Sequence, residues 1–175
     1  MRVFASICAV SVVAACGAVF PTYRDADVPI SSVVSFDPAR FAGEWFEIAS
    51  FPVAFQSGCT MTKAEYAVTG PGEISVLNSC LRDGEIDRIA GTGEVVGPGR
   101  LKINLDGVPF AADYWVLWVD ESYRTAVVGT PSGRAGWILN RAPEIPDDRL
   151  AAAREILAFN GYRLSEMKMT PQAGS

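Results

Sequence analysis

No histidine occurs among the 175 residues of this chain, which removes most of the familiar proton-transfer and metal chemistry. Ser-His-Asp triads, His-ligated zinc and His-ligated haem all require an imidazole. The remaining proton carriers are carboxyls, phenols and thiols, of which Glu47, Tyr66 and Asp113 lie in or beside strand-like runs. Cys59 and Cys80 are better read as a disulfide than as nucleophiles, because an activated thiol needs a base beside it. Residues 60–68 and 73–79 have strand character and are joined by Thr69-Gly70-Pro71-Gly72, a turn-forming cluster. Folding that hairpin about its turn brings Cys59 and Cys80 to nearly opposite positions. In the chain-entropy model, closing such a loop stabilises by about 3 kcal/mol. Free thiols are the alternative.

An even cysteine pair suits an exported protein, and the N-terminus agrees with export. Arg2 precedes an apolar run over 3–13 and then Ala14 and Ala15, the layout of a secretory signal too short to span a membrane permanently. Val13-Ala14-Ala15-Cys16 resembles the lipobox of bacterial lipoproteins. That resemblance implies a lipidated Cys16 as the mature N-terminus, and Gly17 after it implies delivery to the outer membrane, on its periplasmic face. Stable attachment takes more than one acyl chain. An ordinary secretory signal, giving a secreted or periplasmic protein, is the alternative. The expected organisation is a signal over 1–15, a lipidated N-terminus and tether over 16–34, one domain over 35–172, and a tail over 173–175. Within the tether, a docked extra strand through Val33 and Val34 is the competing reading.

Those residues must be positioned by a scaffold, and its signals are regular. Strand-like runs cover 41–51, 60–68, 73–79, 86–96, 100–105, 114–120, 124–130 and 135–141, separated by Gly, Pro, Asp or Ser clusters. Eight antiparallel strands can close into a barrel, which removes exposed edges and leaves room for one small ligand. The fold expected is therefore all-β, an eight-stranded antiparallel up-and-down barrel. Leu101, Ile103 and Leu105 alternate with Lys102 and Asn104, so one strand face is dry and the other wet. Gly43 and Trp45 open the first run and Arg141 closes the last: an indole at the barrel end can plug the floor, with a guanidinium stacked over it. After Arg141 the period changes. Leu150, Ala153 and Leu157 share a helical face with Ile156 beside them, Asp147 or Asp148 can cap the start, and Asn160-Gly161 can end the helix. This C-terminal helix is expected to pack outside the barrel, followed by a short final strand within 162–170. The charged residues, 20 acidic and 15 basic, are scattered and form no run, so nothing points to nucleic acid.

Together, FDPARFAGEWFEIASFP (36–52), ISVLNSC (74–80), DYWVLWVDESYRTAVVG (113–129) and GWILNRAPEIP (136–146) resemble the lipocalin family, in particular the bacterial outer-membrane lipocalins and their apolipoprotein D relatives. Ala112 stands where the second family motif usually has threonine. The resemblance implies binding, storage or transport of a small hydrophobic or amphipathic ligand, such as a fatty acid or lysophospholipid, without chemistry, cofactor or metal. Strand alternation then proposes the lining: Ala64, Tyr66, Ile74, Val76, Asn78, Leu101, Ile103, Trp115, Leu117, Ala126, Val128 and Trp137, with the opposite parity as the competing choice in each strand. Trp115 leads, since the matching family position is a cavity aromatic, and Trp118 is then expected under the helix. Phe55 and Phe110 are expected at the mouth. Two other functions stay open: an isomerase or de-epoxidase using Tyr66, Glu47, Asp113 or a reduced cysteine, and an envelope interaction scaffold with a filled interior. Membrane contact would run through acylated Cys16; a homodimer is left open.

Overall fold

A computed structural model of the chain describes residues 21–172. The expected signal, Cys16 and the 173–175 tail lie outside the described residues. A four-residue helix, α1 (Pro38–Phe41), leads into β1 (Gly43–Ser50), which is followed by β2 (Thr60–Gly70), β3 (Glu73–Arg82), β4 (Glu85–Gly97), β5 (Arg100–Leu105), β6 (Ala112–Val119), β7 (Thr125–Gly129) and β8 (Gly136–Asn140). Every neighbour is antiparallel, and β1 pairs with both β8 and β2. The sheet is thereby a closed eight-stranded barrel. The chain continues through α2 (Asp147–Phe159) to β9 (Lys168–Met169), an extra strand on β1. The α1 helix has no strand or helix period of its own; Pro38 at its first position and the Asp37 carboxylate, accepting from the Ala39 and Arg40 amides, start it.

That short helix carries the floor. Trp45 is fully buried, and its indole N–H donates to the Phe41 carbonyl at 2.8 Å. The Arg141 guanidinium lies 3.8 Å above the indole ring centre and donates to the carbonyls of Arg40, Phe41, Ala42 and Glu44. Stacked cation and ring satisfy the carbonyl ends of α1 while shielding the indole from water. Gly43 is required beside them: its φ is +96°, and an added Cβ would stand 3.2 Å from Arg141 Nη1.

Two apolar layers separate inside from outside. Phe41, Trp45, Ile74, Leu101, Val116, Ala126, Val128 and Leu139 belong to the interior layer near the floor. Ile48, Leu117, Val127 and Ile138 face outward, where Ala153 and Leu157 of α2 cover them. Leu150 and Ile156 flank that contact. The helix begins at Asp147, and Pro146 at its N-cap supplies no side-chain cap. Asp147 and Asp148 are not capping residues as expected; they occupy the first turn, where their charge opposes the positive end of the helix dipole. Gly161, at φ +84°, ends the helix in the left-handed conformation.

At the open end, β1 and β2 part company. Their ladder stops at Phe46 and Lys63, and the C-terminal segment fills the gap: Thr170 N–H donates to Ile48 O, and Met61 N–H to Pro171 O. A disulfide joins Cys59 and Cys80 beside this gap, with 5.5 Å between Cα atoms. The tether reading of 16–34 is corrected for the described part. Tyr23 and Arg24 are buried, Arg24 bridges to Tyr162 and donates to the carbonyls of Asn160 and Pro131, and Val33 N–H donates to Val116 O. Buried apolar and guanidinium groups with partners on three loops hold this segment on the barrel.

Truncating Trp45 to alanine is expected to cost about 3–5 kcal/mol of unfolding free energy, and Arg141→Ala to lower the melting temperature as well. Chemical and thermal denaturation check both. An Arg141→Ala barrel that melts with the wild type would remove the sealing role.

Candidate functional site

Cross-strand pairing decides which side chains face the interior. Leu101 pairs with Tyr114 and Ile103 with Ala112, while Arg100 pairs with Trp115. Paired residues share a face, so the inward Leu101 and Ile103 carry Tyr114 inward and leave Trp115 outside. Two bulges then shift parity, between Glu47 and Ala49 in β1 and between Val116 and Trp118 in β6. Before its bulge β1 points Trp45 and Glu47 inward. Beyond its bulge β6 points Trp118 outward and Val119 inward.

A cavity of about 450 Å³ occupies the open half of the barrel, within the range of small-molecule sites, roughly 300–1,000 Å³. Ala64, Tyr66, Val76, Asn78, Ile103 and Trp137 line it, and Phe55 and Phe110 stand exposed at its mouth with Val108. Six expected lining residues are elsewhere. Trp115 lies outside, capped by the Arg100 guanidinium at 4.3 Å and packed with Trp118 against the helix-side layer. Leu117 is in that same outer layer. Val128 faces inward but is consumed in the packed floor, as are Ile74, Leu101 and Ala126. Asp113 is at the cavity edge, its carboxylate paired with Lys102 Nζ at 2.7 Å.

The lining residues that the strand alternation did not propose include Tyr114, Ile89, Leu105, Leu139, Thr62 and Gln56. Tyr114 is turned inward by the β5–β6 register, which alternation within one strand does not fix. Gln56, on a 3-10 turn over 54–56, carries no periodic signal. Rings run from floor to mouth: Trp45 against Phe41 (4.9 Å between centroids), Phe41 against Tyr66 (5.1 Å), Tyr66 against Tyr114 (6.1 Å) and Tyr114 stacked on Trp137 (6.0 Å).

Polar groups gather at the upper end of this column. The Tyr66 and Tyr114 hydroxyls are 2.7 Å apart. Burial pushes Tyr66 up to about 12, the bond from Tyr114 offsetting part of this and the Glu47 charge adding to it. Burial pushes Tyr114 well above its ordinary value too. Both are neutral hydroxyls at physiological pH, suited to hydrogen bonding and poor as bases. Glu47 is buried, accepting from Gln56 Nε2 at 2.6 Å and Thr170 Oγ1 at 2.5 Å. Trp137 donates its indole N–H to Gln56 Oε1 at 3.2 Å, so the mouth is braced by a Trp137–Gln56–Glu47–Thr170 chain.

A blind apolar cup behind a Trp–Arg floor matches a known domain family. Residues 36–172 match the model of the lipocalin-like domain. The chain belongs to the lipocalin family. It is 34% identical over 145 residues to temperature-induced lipocalin-1 of Arabidopsis thaliana, covering 77% of this chain and 78% of that one. Outer membrane lipoprotein Blc of Citrobacter freundii is 30% identical over 180 residues, covering 100% of this chain and 98% of that one. Among solved structures, insecticyanin from Manduca sexta superposes with a TM-score of 0.69 at 21% identity, covering 89% of each chain. In this lipocalin the Gly43, Trp45 and Arg141 set forms the floor and has no access to the cavity lining.

Of the four tryptophans, 45, 115, 118 and 137, Trp137 is the one on the cavity wall. Ligand-induced change in tryptophan fluorescence is expected to vanish in Trp137→Phe and to persist in Trp115→Phe. Loss of the signal in Trp115→Phe alone would place the ligand on the outer face.

Proposed function

We propose that this lipocalin binds and carries a small hydrophobic or amphipathic ligand, held in the cavity with its apolar part against Val76, Ile103, Leu105 and Trp137. The observation that carries the reading is the cavity itself: about 450 Å³ of mainly apolar wall, closed at the floor and open past Phe55 and Phe110. An interior of this size is unlike the filled barrel a pure scaffold would need. This reading needs no catalytic step, because the mainly apolar cavity, closed at the floor, is enough to hold a ligand.

The protein is further proposed to be an envelope lipoprotein anchored through acylated Cys16 at the outer membrane. The lipobox-like sequence and the relative named as an outer membrane lipoprotein support this. So does where the chain meets the barrel: Thr22 Oγ1 donates to Ser132 O at 2.9 Å, and Ser132 is on the cavity rim. The five steps from Cys16 to Pro21 reach at most about 17 Å, so an acylated Cys16 would keep the mouth near the lipid surface. Ligand could then pass between bilayer and barrel over a short aqueous gap.

Native mass spectrometry and displacement of a fluorescent amphiphile from the purified domain test the binding. Uptake is expected in the wild type and a loss of tenfold or so when Ala64→Phe fills the cavity, by the tenfold-per-1.4 kcal/mol relation. A folded domain that takes up no amphiphile would sink the proposal. Membrane fractionation of a Cys16→Ser variant tests the anchor, with release into the soluble fraction expected.

A further inference from the structure

The cavity has a polar end as well as an apolar wall. Glu47 and Thr62 stand one step beyond the last β1–β2 pair, Phe46 and Lys63. The Gln172 amide ties the two backbones together there, donating to Glu47 O at 2.7 Å and to Thr62 O at 3.4 Å. Their side chains both line the cavity. Glu47 is 5% exposed, and each of its carboxylate oxygens takes one donor, Gln56 or Thr170. A carboxylate can accept about four hydrogen bonds, so acceptor capacity is left over. Thr62 is 6% exposed, and its Oγ1 is buried without a hydrogen-bond partner among the described residues. A buried polar atom in a ligand cavity with no partner of its own is a place for a ligand atom.

Charge around this pair points one way. Lys63, on the cavity edge, turns outward over the Phe46 ring to Glu44, 3.1 Å away. Arg134 belongs to the exposed rim loop. Among the described residues, the charge buried in the cup is the Glu47 carboxylate. A second carboxylate brought alongside it would add like charge in a poorly solvated space, whereas a hydroxyl or ammonium head can donate to it.

We propose that Glu47 and Thr62 form a head-group site for amphiphiles whose polar end donates hydrogen bonds, an alcohol or a primary ammonium, and that this site discriminates against free carboxylates. Resting on the ligand-carrying function above, the assignment has the head donate to Glu47 and exchange a hydrogen bond with Thr62 Oγ1. The alkyl chain lies along Tyr114, Ile103 and Val76.

Dodecanol, dodecylammonium and dodecanoate, three heads on one chain, are to be compared by displacement of a fluorescent probe at neutral pH. The alcohol and the ammonium are expected to bind about tenfold more tightly than the carboxylate, one charge-assisted bond's worth. Glu47→Gln is expected to collapse the ammonium-over-carboxylate ratio, and Thr62→Val to weaken dodecanol with folding unchanged; the second variant decides if the first fails to fold. Dodecanoate binding as tightly as the others, with ratios unmoved by either variant, would overturn the head-group site and leave ligand carriage standing. A folded protein that binds none of the three overturns both.

Discussion

The stack of Arg141 on Trp45 is the constraint from which the rest of the molecule follows. A barrel open at both ends would be a water-filled tube, and its apolar wall would have no advantage for a ligand over bulk solvent. Here the guanidinium, 3.8 Å from the indole ring, also binds four carbonyls at and after the end of α1 and reaches Tyr123 O through Nε. A lysine has neither the planar face nor the fork of donors to do both. Burial draws Arg141 below the usual guanidinium range, yet such a group stays charged at any physiological pH. First strand, last strand and the helix between N-terminal segment and barrel are thus tied at one point.

The floor fixes what the mouth can be. Ring contacts run from Trp45 through Phe41, Tyr66 and Tyr114 to Trp137, so the lower interior is filled and the cavity begins at Tyr66. Polar side chains appear where β1 and β2 separate and the C-terminal segment enters. Glu47 therefore marks the junction of β1, the nearby 3-10 turn with Gln56, and the sequence-distant residues 170–172. Stability is concentrated at the sealed end, and recognition at the open end, which lets the lining vary without disturbing closure.

Much of this was legible in the sequence. The eight runs correspond to the eight barrel strands with small changes at their ends, the cysteines face each other as their hairpin spacing implied, and Gly43, Trp45 and Arg141 meet at the floor. Side-chain parity was harder. Trp115 is expected inside by analogy of position, whereas the β5–β6 register, with Leu101 opposite Tyr114, puts Tyr114 there. The bulge after Val116 then put Trp118 on the same outer face as Trp115, which a count by twos cannot foresee. Thr62, Gln56 and Thr170 had no local signal, because what gathers them is a gap between two strands filled from more than a hundred residues away. Docking of Tyr23 and Arg24 was hidden for a similar reason: a polar, proline-containing segment shows no period, and its partners are loop carbonyls.

The central claim is that ligand enters the upper barrel and never the helix-covered face. Isotope-filtered nuclear Overhauser contacts from a labelled alkyl chain bound to the soluble domain would measure this directly. Contacts to Val76, Ile103, Tyr114 and Trp137, with none to Trp115 or Trp118, are the expected result. Contacts to Trp115, Trp118 and Leu117 would contradict it, placing the ligand between barrel and helix and leaving the cavity without its assigned role.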